Sequence, residues 1–494
     1  MKFYITTPIY YINDRPHIGH AYATIAADVL ARYHRQRGDE VFFLAGTAEH
    51  GDKIATSAEK AGVPVEEFCD RNAQYFIDAW QALLITNDDF IRTTQARHEA
   101  AVKLFATKLK DSGQLYEKDY EGLYCVGCES FKRPSELADG KCPDHGTEPQ
   151  PVKERNWFFK LSEYGERLEQ AITSGELVIE PESRRNEMLS FIRQGLDDIT
   201  VSRHNSPWAI TLPWDSEQTL YVWLDELFNY CTAVGYGVDD ERFKKWWPVD
   251  LHLVGKDIAR FHTIIWPALL MAIGESIPKK VFATGLYTVD GQKMSKTLGN
   301  VINPLDLVNR YGADATRYLL LSQFPFGNDG DIKAASFDAS YATELANGIG
   351  NLASRVIAMS RKNFDGAIAG PKGNTLEPII ITAWKEYHAA LESCGLEAAL
   401  GIIKKVITAC DQLIEQKQPW SLVKTDQAAA GAVLYELCEA LRHLSLMLEP
   451  YLPTTMAQLR TTLGATNLDS TDWGQLEPGT PLAELAPLFP RINE

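Results

Sequence analysis

Long apolar runs are missing from this chain. Nowhere in its 494 residues do apolar side chains persist for the roughly 18 positions that a membrane-crossing helix needs. The N-terminus MKFYITTPIYY lacks a basic start, an apolar stretch and a small-residue cleavage site, so no secretory leader is expected and a cytoplasmic location is the expectation. An excess of positive charge is missing too. Lys and Arg number 49 against 66 Asp and Glu, for a formal net charge of −17. That excludes a general nucleic-acid coat, because phosphate binding depends on cations that release counterions. A local basic face on an acidic body is still sufficient for an RNA partner. No repeat or low-complexity tract occurs. Cysteine is scarce, with 8 residues, and in a large cytosolic chain thiols stay reduced, so clustered ones read as metal ligands before disulfides. Cys69, Cys231, Cys394, Cys410 and Cys438 are scattered in apolar or helical surroundings and read as packing residues.

What remains is an ordinary globular composition, 45% hydrophobic and 23% charged, long enough for about three domains at ~150 residues each. Residues 3–11, FYITTPIYY, are β-branched and aromatic and run into the turn Asn13-Asp14-Arg15-Pro16. The stretch HIGHAYATIAADVLARYHRQRG then carries apolar residues at helical spacing to Gly38, and EVFFLAG is a short apolar strand. Strand, helix and strand make a βαβ unit and imply a parallel sheet. Residues 55–113 read as two or three helices, and 115–155 as short strands and turns around a cysteine cluster, an insertion. The runs LHLVG and VFATGLYTV bracket the helical DIARFHTIIWPALLMAI in a second βαβ unit. From about 335 onward every periodic segment is helical.

Two segments point to phosphate chemistry. His17-Ile18-Gly19-His20 falls where the first turn becomes a helix N-terminus, which favours phosphate through its N–H groups and dipole. Gly19 lets a nucleotide approach the backbone, and the two imidazoles can donate to phosphate oxygens. Lys293-Met294-Ser295-Lys296-Thr297 follows the second βαβ unit in a Gly-bounded loop, where two lysines can neutralise a triphosphate as charge builds in the transition state. A third constellation is Cys125-x2-Cys128, then thirteen residues, then Cys142-x2-His145. Three thiolates and an imidazole match a closed tetrahedral site for one structural Zn²⁺.

H-I-G-H and K-M-S-K-T, in this order, resemble the two signatures of class I aminoacyl-tRNA synthetases. TPIYYIN, WLD at 223–225, GKDI-x-RFH at 255–262, ATGLYTVDGQKMSKT at 283–297 and the terminal LFPRI resemble the bacterial methionyl-type enzymes over nearly the whole chain. The resemblance implies an α/β fold: a Rossmann-type parallel sheet split by a zinc-knuckle insertion, followed by an all-α anticodon-binding bundle. Its boundaries are expected at 1–114 for the first half of the catalytic domain, 115–219 for the insertion, 220–290 for the second half, 291–345 for the lysine-loop linking domain and 346–494 for the helical domain.

It also implies a ligase that joins methionine to tRNA through an aminoacyl-adenylate, using ATP with Mg²⁺. His17, Gly19, His20, Lys293 and Lys296 would handle the phosphates, while Gly255 and Asp257 face the adenosine. One or two zinc knuckles in the insertion are expected of the family. Ile9, Tyr11, Trp223, Ile258, Phe261 and His262 fall at positions lining the methionine site. Physically they make an apolar, aromatic slot with one polar tip, apt for a thioether.

The match weakens within that slot. Gly46-Thr47-Ala48-Glu49-His50-Gly51 has Ala48 where the family carries the Asp that holds the substrate's ammonium group. Glu226 stands after Trp223-Leu224-Asp225 where the family has a small Ala. Ala23 and Ala45 replace frequent Thr residues. One reading has Glu226 taking over the ammonium, shifting the substrate backbone and selecting an analogue such as a β-amino acid, for a role outside translation. Another has Glu226 facing solvent and methionine bound weakly, and a third has Ala48 as an introduced substitution.

Asn351 and Arg355 are four residues apart, hence on one face of a helix, and Trp420 follows the break Gln418-Pro419. By resemblance these read the anticodon, through edge hydrogen bonds and stacking. A protein that only binds RNA would be expected to lose the active-site histidines and lysines, all present here. The chain is expected to act as a monomer, because it stops at PLFPRINE without an appended tRNA-binding domain.

Overall fold

The computed structural model describes residues 1–127, 129–132, 134–143, 146–294, 300–465 and 468–492, with the side chains at 135, 293 and 334 left aside. The chain divides into two bodies. One comprises residues 1–16, 39–80 and 86–284, and the other 17–38, 81–85 and 285–494.

The first body is built on a seven-stranded sheet. Its strands, in chain order, are β1 (Lys2–Thr6), β2 (Tyr10–Tyr11), β3 (Glu40–Ala48), β4 (Asp89–Arg92), β5 (Val178–Glu180), β6 (Leu251–Gly255) and β7 (Lys280–Thr284). Every pairing is parallel: β3 takes β1 and then β2, with β4 also alongside, and β1 continues through β6 and β7 to β5. The apolar runs FFLAG and LHLV are buried, as expected of strands covered on both faces. Between β1 and β6 the connections turn from one side to the other. At such a switch point the carboxyl ends of parallel strands leave a crevice for a ligand.

The expected strand over 3–11 is in fact two pieces. Thr7, Pro8 and Ile9 interrupt it, and Pro8, with no N–H, cannot donate to a ladder. The register resumes with Tyr10 opposite Thr47 and Tyr11 opposite Ala48. The span 55–113 holds its expected helices at Asp52–Ala61, Val65–Ala82 and Ala96–Asp111, with β4 between the last two. The single run expected at 281–289 breaks at Gly285: β7 ends at Thr284 and a separate strand covers Tyr287–Val289.

The insertion is more regular than its sequence suggests. Leu115–Cys125 and Gln150–Phe159 form a long antiparallel pair, with Ser130–Lys132 on one edge and Ile199–Thr200 on the other. The core of the first body is rich in aromatics, with Phe105 and Phe228 stacked at 4.0 Å.

In the second body the helix Ile18–Gln36 packs against the helix Ala313–Leu321. Arg317 there is fully buried, bonding Asp28 at 2.7 Å and the carbonyls of Leu83, Pro450 and Tyr451. A small sheet joins Tyr287–Val289 to Gln292–Lys293 and Gly330–Ile332. From Ala334 to Thr462 the regular elements are helical, as the periodicity requires. The helix Gln427–Leu448 is buried almost throughout, and its Glu439 accepts from Arg442 and from the N–H groups of Gly474, Gln475 and Leu476. Among the described residues no helix is long and apolar enough to cross a membrane.

Candidate active site

At the second body's helix N-terminus, His17 is the N-cap. Its Nδ1 accepts from Gly19 N–H at 3.1 Å, and His20 Nδ1 accepts from His17 N–H at 3.2 Å. The rings stack 3.8 Å apart. Burial holds the His17 pKa down to about 4, and burial together with His17 holds His20 well below its usual value. Both imidazoles are therefore neutral. With each Nδ1 accepting, the proton of each stands on Nε2, the atom that can donate to a phosphate oxygen. Gly19 is required sterically: a Cβ there would stand 2.9 Å from the His17 ring and 3.3 Å from the terminal methyl of Met294. The two motifs read in the sequence are thus neighbours in this body. Ile18 N–H also bonds Ile302 O, beyond the lysine loop. Residues 295–299, Lys296 among them, lie outside the described residues, as does the Lys293 side chain.

In the first body the aromatic slot forms at the carboxyl ends of β1, β3 and β6. Trp223, on the helix Val222–Thr232, stacks on Phe261 at 4.2 Å and meets Tyr11 edge-on at 6.2 Å. His262 is fixed from both sides. Its Nδ1 donates to Ile258 O at 3.0 Å and its Nε2 accepts from Tyr230 Oη at 2.8 Å. Burial lowers its pKa to about 4, so it is a neutral wall of the slot. Ile9 lies against Gly46, where a Cβ would come within 3.0 Å of the isoleucine methyl. At the end of β6 a Cβ on Gly255 would collide with the Asp257 carboxylate. Trp223 and Phe261 also line a cleft of about 990 Å³ that runs past Arg260 and Phe191 to Tyr120 and Phe131 of the insertion.

Several residues of this body were not singled out by sequence. Asp225 is 2% exposed and takes His50 Nδ1 at 2.8 Å and His98 Nε2 at 2.7 Å. Burial alone would raise its pKa, but the two histidines bring it down to about 2. The His50 pKa is lowered by burial and raised more by Asp225, ending above its usual value. Glu129, in the turn after the first cysteine pair, reaches back into the slot. Its carboxylate accepts from Tyr11 Oη at 2.5 Å and Lys53 N–H at 2.9 Å, and its carbonyl from Trp223 Nε1 at 3.2 Å and Tyr221 Oη. Gly51 is the signal for it, since any Cβ at that positive-φ residue would strike the Glu129 carboxylate.

Glu226 is 7% exposed, which rules out the solvent-facing reading. Ala48 is fully buried. Of the expected metal ligands, Cys125 and Cys142 are buried, Cys125 at the end of the strand Leu115–Cys125. Cys128 and His145 lie outside the described residues. Asn351 opens the helix Asn351–Asn363 and is exposed, Arg355 on the same helix is 3.5 Å from Asp411, and Trp420 is 45% exposed.

Comparison with known proteins identifies the family. A family model described as tRNA synthetases class I (M) matches residues 3–150 and 132–357, and one for the anticodon binding domain of methionyl tRNA ligase matches 364–492. A methionine–tRNA ligase of Caldanaerobacter subterraneus is 44% identical over 99% of this chain and 79% of its own length. One of Streptomyces coelicolor is 43% identical over 100% of this chain and 97% of its own. Among solved structures, Mycobacterium tuberculosis methionyl-tRNA synthetase in complex with methionyl-adenylate has a TM-score of 0.94 at 36% identity, covering 99% of this chain and 100% of that one.

Proposed function

The chain belongs to the methionyl branch of the class I aminoacyl-tRNA synthetases, and from that premise we propose that it activates methionine with ATP and transfers the methionyl group to a methionine-accepting tRNA. The observation that carries this reading is the meeting of Gly19 with Met294 beside two histidines whose Nδ1 atoms each accept a backbone N–H.

The first step is in-line attack of the amino-acid carboxylate on the α-phosphate, with pyrophosphate leaving. The second passes the acyl group to a terminal ribose hydroxyl of tRNA and releases AMP. In this reading His17 and His20 donate from Nε2 to phosphate oxygens, and Lys293 and Lys296 offset the charge that builds on the leaving pyrophosphate. Gly255 lets the adenosine approach the backbone, with the Asp257 carboxylate placed to accept from ribose hydroxyls. The protein's contribution is positioning and charge stabilisation. Mg²⁺ would arrive on the ATP phosphates, which supply most of its ligands.

Ile9, Tyr11, Trp223, Ile258, Phe261 and His262 form the side-chain slot, apolar and aromatic as a thioether requires. Cys125, Cys128, Cys142 and His145 are assigned to one structural zinc. The burial of the two described thiols fits soft ligands held away from water. Asn351, Arg355 and Trp420 are assigned to the anticodon, with the ring of Trp420 exposed for stacking. The five-segment domain division and a monomeric state are retained as part of this proposal.

The test is charging of tRNA with methionine and with its β-amino isomer. Methionine is expected to be transferred and the isomer not. Preferential transfer of the isomer would overturn the assignment of substrate.

A further inference from the structure

A substrate carrying a free amino group brings one positive charge into the aromatic slot, and a buried ammonium needs an ionised or strongly accepting partner. Most carboxylates buried around the slot are already engaged. Glu49 holds Arg92 through both oxygens, with Thr47 and Thr94 added. Asp225 gives one oxygen to His50 and the other to His98. Glu129 gives one to Lys53 N–H and the other to Tyr11.

Glu226 differs. Among the described residues its buried Oε1 has no hydrogen-bond partner, and no Lys or Arg forms an ion pair with its carboxylate. An orphaned carboxylate oxygen is a costly thing for a fold to keep.

Its surroundings identify the place. The Tyr11 hydroxyl, which donates to Glu129, interacts electrostatically with Glu226, and Tyr11 contacts Trp223, which stacks on Phe261. Opposite Tyr11 across the parallel register stands Ala48, with no polar atom beyond its backbone. The charged groups facing Glu226 are Glu129, Asp225 and Lys53, of which Lys53 Nζ stands 5.4 Å from the centre of the Tyr11 ring. Burial first, then the two neighbouring acids, push the Glu226 pKa well above its usual value. An incoming cation would favour the ionised form.

We propose that Glu226 receives the α-ammonium of the amino-acid substrate, its orphaned Oε1 being completed by the ligand. The assignment rests on the reading that the slot takes methionine. Glu226 is then a specificity-determining residue that distinguishes substrates by their amine, while Trp223 and Phe261 select the side chain.

Calorimetric titration of the full chain tests this with two probes: methioninol, which keeps the amine and thioether and lacks the carboxylate, and 4-(methylthio)butanoate, which lacks the amine. Glu226→Gln preserves shape and removes the charge. It is expected to weaken methioninol binding and raise the methionine KM by roughly 30-fold or more, while affinity for 4-(methylthio)butanoate stays unchanged. Glu226→Asp restores part of the methioninol affinity. A merely structural role would move both probes together, and that result, or unchanged methioninol binding, overturns the proposal. Methionine-driven pyrophosphate exchange by the wild-type chain is run in parallel. Exchange that persists while methioninol ignores the substitution sinks only the Glu226 assignment, whereas absence of exchange and of methioninol binding in the wild type sinks the methionine reading and this inference with it.

Discussion

The buried carboxylate of Asp225 shows how one residue can be structural and still determine a binding slot. It is clamped by His50 from the loop after β3 and by His98 from the helix Ala96–Asp111, and so fixes the helix that carries Trp223 and Glu226. Its folded pKa of about 2 lies below the unfolded value of about 3.9. Its stabilisation is therefore fully present above pH 4 and lost as pH falls toward 2. The His50 pKa is raised, so its share is present below about 6.5 and lost as pH rises through the folded value. Asp225→Asn should cost about 2–3 kcal/mol near pH 5, with the difference from wild type shrinking on further acidification. Chemical denaturation across pH checks it, and a pH-independent difference would contradict the clamp. The sequence displayed WLD and EHG as motifs but could not show that they join, because the contact spans 175 residues. Glu129 was hidden for the same reason. Nothing local distinguishes it from any acid in a turn except Gly51, whose need for space becomes visible only in three dimensions.

At the scale of elements, periodicity was a sufficient guide wherever a segment was long. The helix Ile18–Gln36, the buried strands β3 and β6 and the helices beyond 335 all follow from apolar spacing. It was a weaker guide where short strands compete with turns: β1 and β2 read as one run because β-branched and aromatic residues flank Pro8 on both sides, and β4 has four residues, too few for a pattern. The insertion's hairpin was expected as short strands because its polar, exposed alternation carries little apolar signal. The zinc assignment rests on the spacing of the thiols and the imidazole, and the sheet near its tip also packs Phe131 against Tyr120 and Tyr124. One zinc per chain is expected by elemental analysis. Chelation, or Cys125→Ser, should speed hydrogen exchange in 115–125 and 150–159 while leaving β1, β3 and β6 protected. A metal-free protein with the hairpin equally protected would contradict the assignment.

For the whole molecule, the division of labour is one of chemistry. One body holds an aromatic slot beside a buried carboxyl with one unpartnered oxygen among the described residues, and the other holds the phosphate-directed histidines together with a helical domain matched by an anticodon-binding family model. The net charge of −17 is compatible with a tRNA partner, because recognition of unstacked bases relies on stacking and edge contacts. Family and reaction class were legible in two short motifs, whereas the fate of Glu226 depended on burial, which no single sequence reveals. The most direct test of the account is amino-acid-dependent exchange of pyrophosphate into ATP, measured with methionine and each of the other protein amino acids, in the wild type and in His20→Ala. Methionine is predicted to drive exchange far above the rest, and the substitution to lower kcat by roughly 10²–10³. Faster exchange with another amino acid, or a His20→Ala protein as active as the wild type, would contradict it.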